Sequence, residues 1–187
     1  VRVLSLLLLA IAFSPTPAAR AGEDMADPVM RVFAEAEAAQ AAHDYAALMD
    51  AAAVLRALGG TPADGQEDVA DQWEAEAKAN GVTRSRLGAR GRALGPAYRR
   101  GVLAAGASLT IEQLFLGGQS ARISLAASDG SAGIVMRVRT ADGATLCEQR
   151  VREALADCVW RPDFTGRFTI SVDNGGDQPA RVLLLMR

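Results

Sequence analysis

Residues 147–160, CEQRVREALADCVW, hold the only two cysteines of the chain, and the runs around them decide the fold. SARISLAAS (120–128), GIVMRVRTA (133–141), ATLCEQ (144–149), DCVWRP (157–162), GRFTISVDN (166–174) and ARVLLLMR (180–187) are short, and Asp-Gly, Pro or Asn-Gly-Gly turn signals separate most of them. Ile123 and Leu125 alternate with Arg122 and Ser124, Ile134, Met136 and Val138 with Arg137 and Arg139, and Phe168, Ile170 and Val172 with Arg167, Thr169 and Ser171. One face of each strand is therefore apolar and the other mostly wet. Half-buried strands must close over a shared core, which predicts an antiparallel β-sandwich, jelly-roll-like, over 107–187. Trp160, Phe168, Ile170 and Val172 are its expected structural core.

Further out, residues 1–21 have a basic start at Arg2, the apolar run LSLLLLAIAF and the small-residue stretch Ala19-Arg20-Ala21 before Gly22, the pattern of an export signal. The run is too short to span a bilayer with ease and no second candidate follows, so the expectation is a periplasmic or secreted chain without a transmembrane anchor. An oxidising compartment favours a disulfide between Cys147 and Cys158. If ATLC and DCVW are neighbouring strand ends, that bridge contributes roughly 2–3 kcal/mol by restricting the unfolded chain. Trp160, two residues beyond Cys158, shares its strand face.

The region 22–80 reads as helical. Asp27-Pro28 is a cap followed by a favourable first residue, and AEAEAAQAA has strong helix propensity. Tyr45, Leu48, Ala52 and Leu55 repeat at helical spacing, leaving open whether 30–58 is one helix or two broken near His43-Asp44. A second amphipathic stretch runs from about Asp64 to Ala79, with Val69, Trp73 and Ala77 on one side. These alanine-rich helices bury only a thin stripe and need a surface to lie on. Leu183, Leu185 and Val135 are apolar on the opposite side of their strands from the sandwich core, so the fold expected overall is α+β, with the helical region packed on the sheet. The same three residues alternatively suit a weak homodimer.

Between the halves, 81–106 reads as an arginine-rich connection. Arg84, Arg86, Arg90, Arg92, Arg99 and Arg100 stand without an acidic residue among them, a candidate grip on an anionic surface ligand. Nucleic acid is not expected, because only Tyr98 interleaves with the arginines and the chain carries a net charge of -2. His43, the single histidine, cannot build a zinc cluster or, without a GxSxG elbow, a triad. No cofactor is implied. Asp129, Asp142, Asp173 and Asn174 lie in turns where oxygen ligands for calcium would collect, although Asp-Gly and Asn-Gly pairs are explained by tight turns alone.

LFLGGQSARISLAA, MRVRTADGATLC, CVWRPDFTGRFTISVDNGG and ARVLLLMR together resemble the bacterial pre-peptidase C-terminal domain, a small secreted β-sandwich appended to exported enzymes. GPAYRRGVLAAGA behind an alanine-rich helical region is similar to exported bacterial proteins in which the module stands without an enzyme. Relatives carry an Asp-rich segment before the second strand, whereas SDGSAGIVMRV has Asp129 alone. The resemblance implies a non-catalytic accessory or binding role in the envelope and transfers no catalytic residue. A carboxylate-based hydrolase would need two convergent acids about 5–9.5 Å apart, and a structural protein would dimerise through the sheet face.

Overall fold

The computed structural model describes residues 27–85, 94–128 and 133–187. The export signal expected over 1–21, and the candidates Arg86, Arg90, Arg92 and Asp129, lie outside these residues. Helix α1 (Pro28–Ala41) begins where the Asp27 side chain accepts a hydrogen bond from Val29 N at 2.8 Å. It ends at His43, whose φ of 54° lets Asp44 N donate to Ala39 O and His43 N to Gln40 O. Asp44 then caps α2 (Tyr45–Ala57) by accepting from Ala47 N at 2.9 Å, so 30–58 is two helices. The last helix, α3 (Val69–Ala79), starts later than the sequence pattern suggests. Asp64-Gly65 is a turn, with Gly65 at φ 76°, and Asp68 is the cap, accepting from Ala70 N at 2.9 Å. Arg56 of α2 reaches Asp71 at 2.5 Å and Glu74 at 2.7 Å, tying α2 to α3.

Nine strands follow the chain: β1 (Thr61–Pro62), β2 (Ala97–Leu103), β3 (Ser108–Phe115), β4 (Ala121–Ala127), β5 (Ile134–Arg139), β6 (Thr145–Arg150), β7 (Leu155–Trp160), β8 (Gly166–Asn174) and β9 (Ala180–Met186). They form two sheets, ordered β1-β2-β9-β4-β7 and β3-β8-β5-β6. Every pairing is antiparallel except the short β1–β2 contact. The arginine-rich connection expected over 81–106 is corrected here: its last part is β2, a strand of the larger sheet. The arginines hid it, because Arg100 sits where the outer face of that sheet is wet, while Ala97 and Leu103 face the sandwich core.

Two apolar layers result. Between the sheets, Ile123, Leu125, Leu184 and Met186 meet Ile134, Met136, Val138, Ile170 and Val172. Outside the five-stranded sheet, α1–α3 bring Phe33, Leu48, Leu55 and Trp73 down on Tyr98 and Leu185, with Leu183 packed at the margin. Phe33 meets Trp73 and Tyr98 edge-on, with ring centroids 5.2 Å apart in each pair. The helical region thus lies on the sheet as the double-sided apolar strand β9 predicts. Val135 is the exception: it belongs to the outer face of the other sheet, remote from the helices, and is half-buried beside Arg150 and Asp173.

Candidate functional site

The helix-bearing face of the five-stranded sheet consists of rows that cross the strands. Strand register places Tyr98, Leu185 and Ser124 side by side in one row, Arg100, Leu183 and Ala126 in the next, and Val102 with Arg181 in the third. Alternation puts all of them on the same face. The helices cover the first row, where Tyr98 is fully buried and Leu185 is 2% exposed. They half-cover the second and stop short of the third, where Val102 is 66% exposed. This mismatch leaves an open groove of about 970 Å³. Arg100, Val102, Arg181 and Leu183 form its floor, Met30, Phe33 and Glu37 of α1 one wall, and Gln66 and Glu67 the other.

The groove is polarised. Arg100 and Arg181 are exposed on the floor, and neither guanidinium has a carboxylate partner among the described residues. On the walls, Glu37 is exposed and Glu67 accepts a hydrogen bond from Gln72 Nε2 at 2.6 Å. The Gln66 side chain accepts from Arg100 N at 3.1 Å, pinning the Gly65–Glu67 turn against the edge of β2. In the covered row beside the floor, the Tyr98 hydroxyl accepts from Val69 N at 2.9 Å and donates to Asp68 Oδ1 at 3.2 Å, which ties the start of α3 to the sheet. Burial pushes its phenol up to about 12, and the neighbouring Asp68 carboxylate adds to the shift.

Of the arginines singled out in the sequence, the structure describes three. Arg84 is exposed beyond the end of α3. Arg99 and Arg100 are successive residues of β2 and point to opposite faces. The Arg99 guanidinium donates to Asp64 O at 2.9 Å while its Nε is buried without a partner, so Arg100 is the one that enters the groove. Arg181, Glu37 and Glu67 went unremarked in the sequence. Arg181 had a legible signal, since it opens the apolar run of β9 on the wet side of its alternation.

Among the described residues, the turn candidates do not assemble into one site. Asp142 lies in the β5–β6 turn, hydrogen-bonded by the Thr140 hydroxyl, which holds its carboxyl below the usual range. Asp173 is paired across from Val135 at the opposite end of β5, bonded to Ser108 Oγ at 2.6 Å and to Arg137. Asn174 is structural. Its Nδ2 donates to Leu103 O, Ala104 O and Gln178 O, and its Oδ1 accepts from Gly176 N. Among the described residues no three His, Cys, Asp or Glu side chains are placed to share a metal ion. His43 is exposed, with Nδ1 3.3 Å from the Tyr45 hydroxyl.

Cys147 and Cys158 form a disulfide with Cα atoms 6.0 Å apart. They sit within β6 and β7 and not at strand ends, and since these strands belong to different sheets the bridge staples one to the other. Trp160 packs edge-on to Phe115 at 4.9 Å and lies 5.6 Å from Phe168, while Ile170 and Val172 are buried in the same core.

No family profile matches the chain, and no curated protein matches it either. Among solved structures it is similar to the pre-peptidase C-terminal domain of a Bacillus anthracis collagenase, at 11% identity over 49% of this chain and 89% of that domain, with a TM-score of 0.42. It is also similar to PliG, a periplasmic inhibitor of g-type lysozyme from Aeromonas hydrophila, at 11% identity over 68% of this chain and 96% of that one, TM-score 0.37. A carbohydrate-binding module of Cellvibrio mixtus lichenase 5A matches at 9% identity over 48% of this chain and 86% of the module, TM-score 0.32. What these share with the present chain is the general antiparallel β-sandwich, and the likeness carries nothing about ligands.

Proposed function

We propose that the chain is a non-catalytic accessory protein of the bacterial envelope, periplasmic or secreted, that holds a ligand in the groove between its helices and the five-stranded sheet. The observation that carries this reading is the pair Arg100 and Arg181, two exposed cations without a carboxylate partner among the described residues, on the floor of a concave surface. Export is supported by the apolar leader together with the disulfide. Assignment of the sandwich to the pre-peptidase C-terminal type belongs to the same proposal and rests on CVWRPDFTGRFTISVDNGG and its neighbours.

A binding role, not a hydrolytic one, suits a groove whose two carboxylates stand on its open walls, away from the enclosure that acid–base chemistry uses. Nucleic acid is a poor fit, because Glu37 and Glu67 interrupt what would have to be a continuous cationic track. We take the protein as a monomer: of Val135, Leu183 and Leu185, the sequence's alternative dimer face, Leu185 is buried under the helices, Leu183 lies at their margin, and Val135 is on the other sheet, so the three do not form one face.

The test uses glycan arrays and blocked-peptide libraries, probed with the disulfide-bonded protein and with Ala34→Trp, whose indole would project from exposed α1 into the groove. The expected outcome is a ligand class bound by the parent and weakened at least about tenfold by the substitution. Equal binding by both proteins would remove the groove from consideration.

A further inference from the structure

Resting on the groove as the ligand site, we propose that its occupant is an extended polypeptide segment of a partner protein. The segment adds as a short strand to the free edge of β2 and offers an acidic side chain to Arg100 and Arg181. The first argument is backbone accounting. On the side of β2 away from β9, Thr61 N donates to Pro96 O at 3.1 Å, Ala63 N donates to Tyr98 O at 2.8 Å, and Arg100 N donates to the Gln66 side chain at 3.1 Å. Even-numbered residues therefore turn their backbone groups outward, and the odd-numbered ones pair with β9. The same alternation sends the Arg100 carbonyl and both backbone groups of Val102 outward, past the point where the turn ending at Glu67 leaves the edge. Among the described residues none pairs with these groups, and an unpaired edge of this kind is a template for another strand.

The second argument is side-chain chemistry. Arg100 stands opposite Leu183 and Val102 opposite Arg181, so the two arginines are diagonal neighbours on one face. That spacing lets a single carboxylate receive a hydrogen bond from each. An added strand points every second side chain toward the groove, so an acidic residue flanked at two-residue intervals by apolar ones would meet Arg100, with Arg181 reaching in from β9, and cover Val102. A saccharide would look for an exposed aromatic platform, and the aromatic side chain lining this groove, Phe33, is 3% exposed.

The probe is a library of blocked pentapeptides in which an apolar residue, Thr, Glu, Thr and a second apolar residue follow in order, titrated against the full chain. Two analogues of the tightest member carry N-methyl groups, one on the two Thr residues and the other on the Glu and the apolar residues. Strand addition requires that one analogue lose at least about tenfold in affinity while the other binds like its parent, because only one set of N–H groups faces β2. Arg100→Glu and Arg181→Glu should each weaken the parent peptide at least about tenfold, and Arg84→Glu should leave it unchanged. Equal binding of both analogues, or no binding of any library member, overturns the inference. If a glycan binds instead and Ala34→Trp blocks it, the groove stands and the peptide assignment falls. If a library peptide binds Ala34→Trp as tightly as the parent protein, the groove itself falls.

Discussion

Tyr98 reaches out of β2 into the cap of α3, and its ring is sealed beneath Phe33. A phenolate there would be buried and would lie beside Asp68, so the folded protein holds the neutral form and raises the pKa to about 12. For an acid whose folded pKa exceeds its unfolded value of about 10, the stabilisation is complete below pH ~10 and is lost as pH rises from there toward 12, on the order of 2–3 kcal/mol in all. In a Tyr45→Phe background, ultraviolet titration of the remaining tyrosine should show a midpoint near 12 when folded and near 10 in urea. A folded-state midpoint at the unfolded value would mean that the ring is not buried. In the sequence Tyr98 was visible only as an aromatic among arginines. Its role depends on Val69 and Asp68, which lie far away along the chain and come near only through the short β1–β2 pairing.

Strands β6 and β7 are neighbours in sequence but edge strands of different sheets, and the Cys147–Cys158 bridge holds those edges together. The sequence made the pairing legible, since only two cysteines exist, and misplaced it only in putting them at strand ends. Because the bridge closes a loop of sequence separation 11, Cys147→Ser with Cys158→Ser should lower unfolding free energy by roughly 2–3 kcal/mol in urea titration. No change would mean that the turn alone orders this corner. The turn is tight: Arg152 N and O bond reciprocally to Leu155 O and N, with Glu153 and Ala154 both at positive φ. Strand β2 shows the opposite case. AYRRGVL lacks the clean alternation of the later strands because one of its faces lies partly under helices, partly under a turn and partly in solvent, and a period-2 reading sees only the average.

The helices and the sandwich complete one another. Alanine supplies helix propensity to α1–α3 but little burial, and the apolar cluster beneath them includes Tyr98 and Leu185 from the sheet. Leu185→Asp, which would bury a carboxylate at a position 2% exposed, should destabilise the protein by about 3 kcal/mol or more, and Leu183→Asp, at the half-covered margin, by less but above about 0.5 kcal/mol. Fragment 27–80 alone should show no cooperative thermal transition by circular dichroism. A cooperative one would make the helical half a domain of its own and return the sheet face to solvent. The Asp27 cap, the periodicity of the later strands, the apolar double face of β9 and the partnership of the cysteines are carried by residues close together in the chain, and all of these could be read from the sequence. The groove could not. It exists because Arg100, Arg181 and Glu37 come from three separate elements, brought together by strand register and by helices that stop one row short of the sheet's end, and such long-range register leaves no local pattern to read.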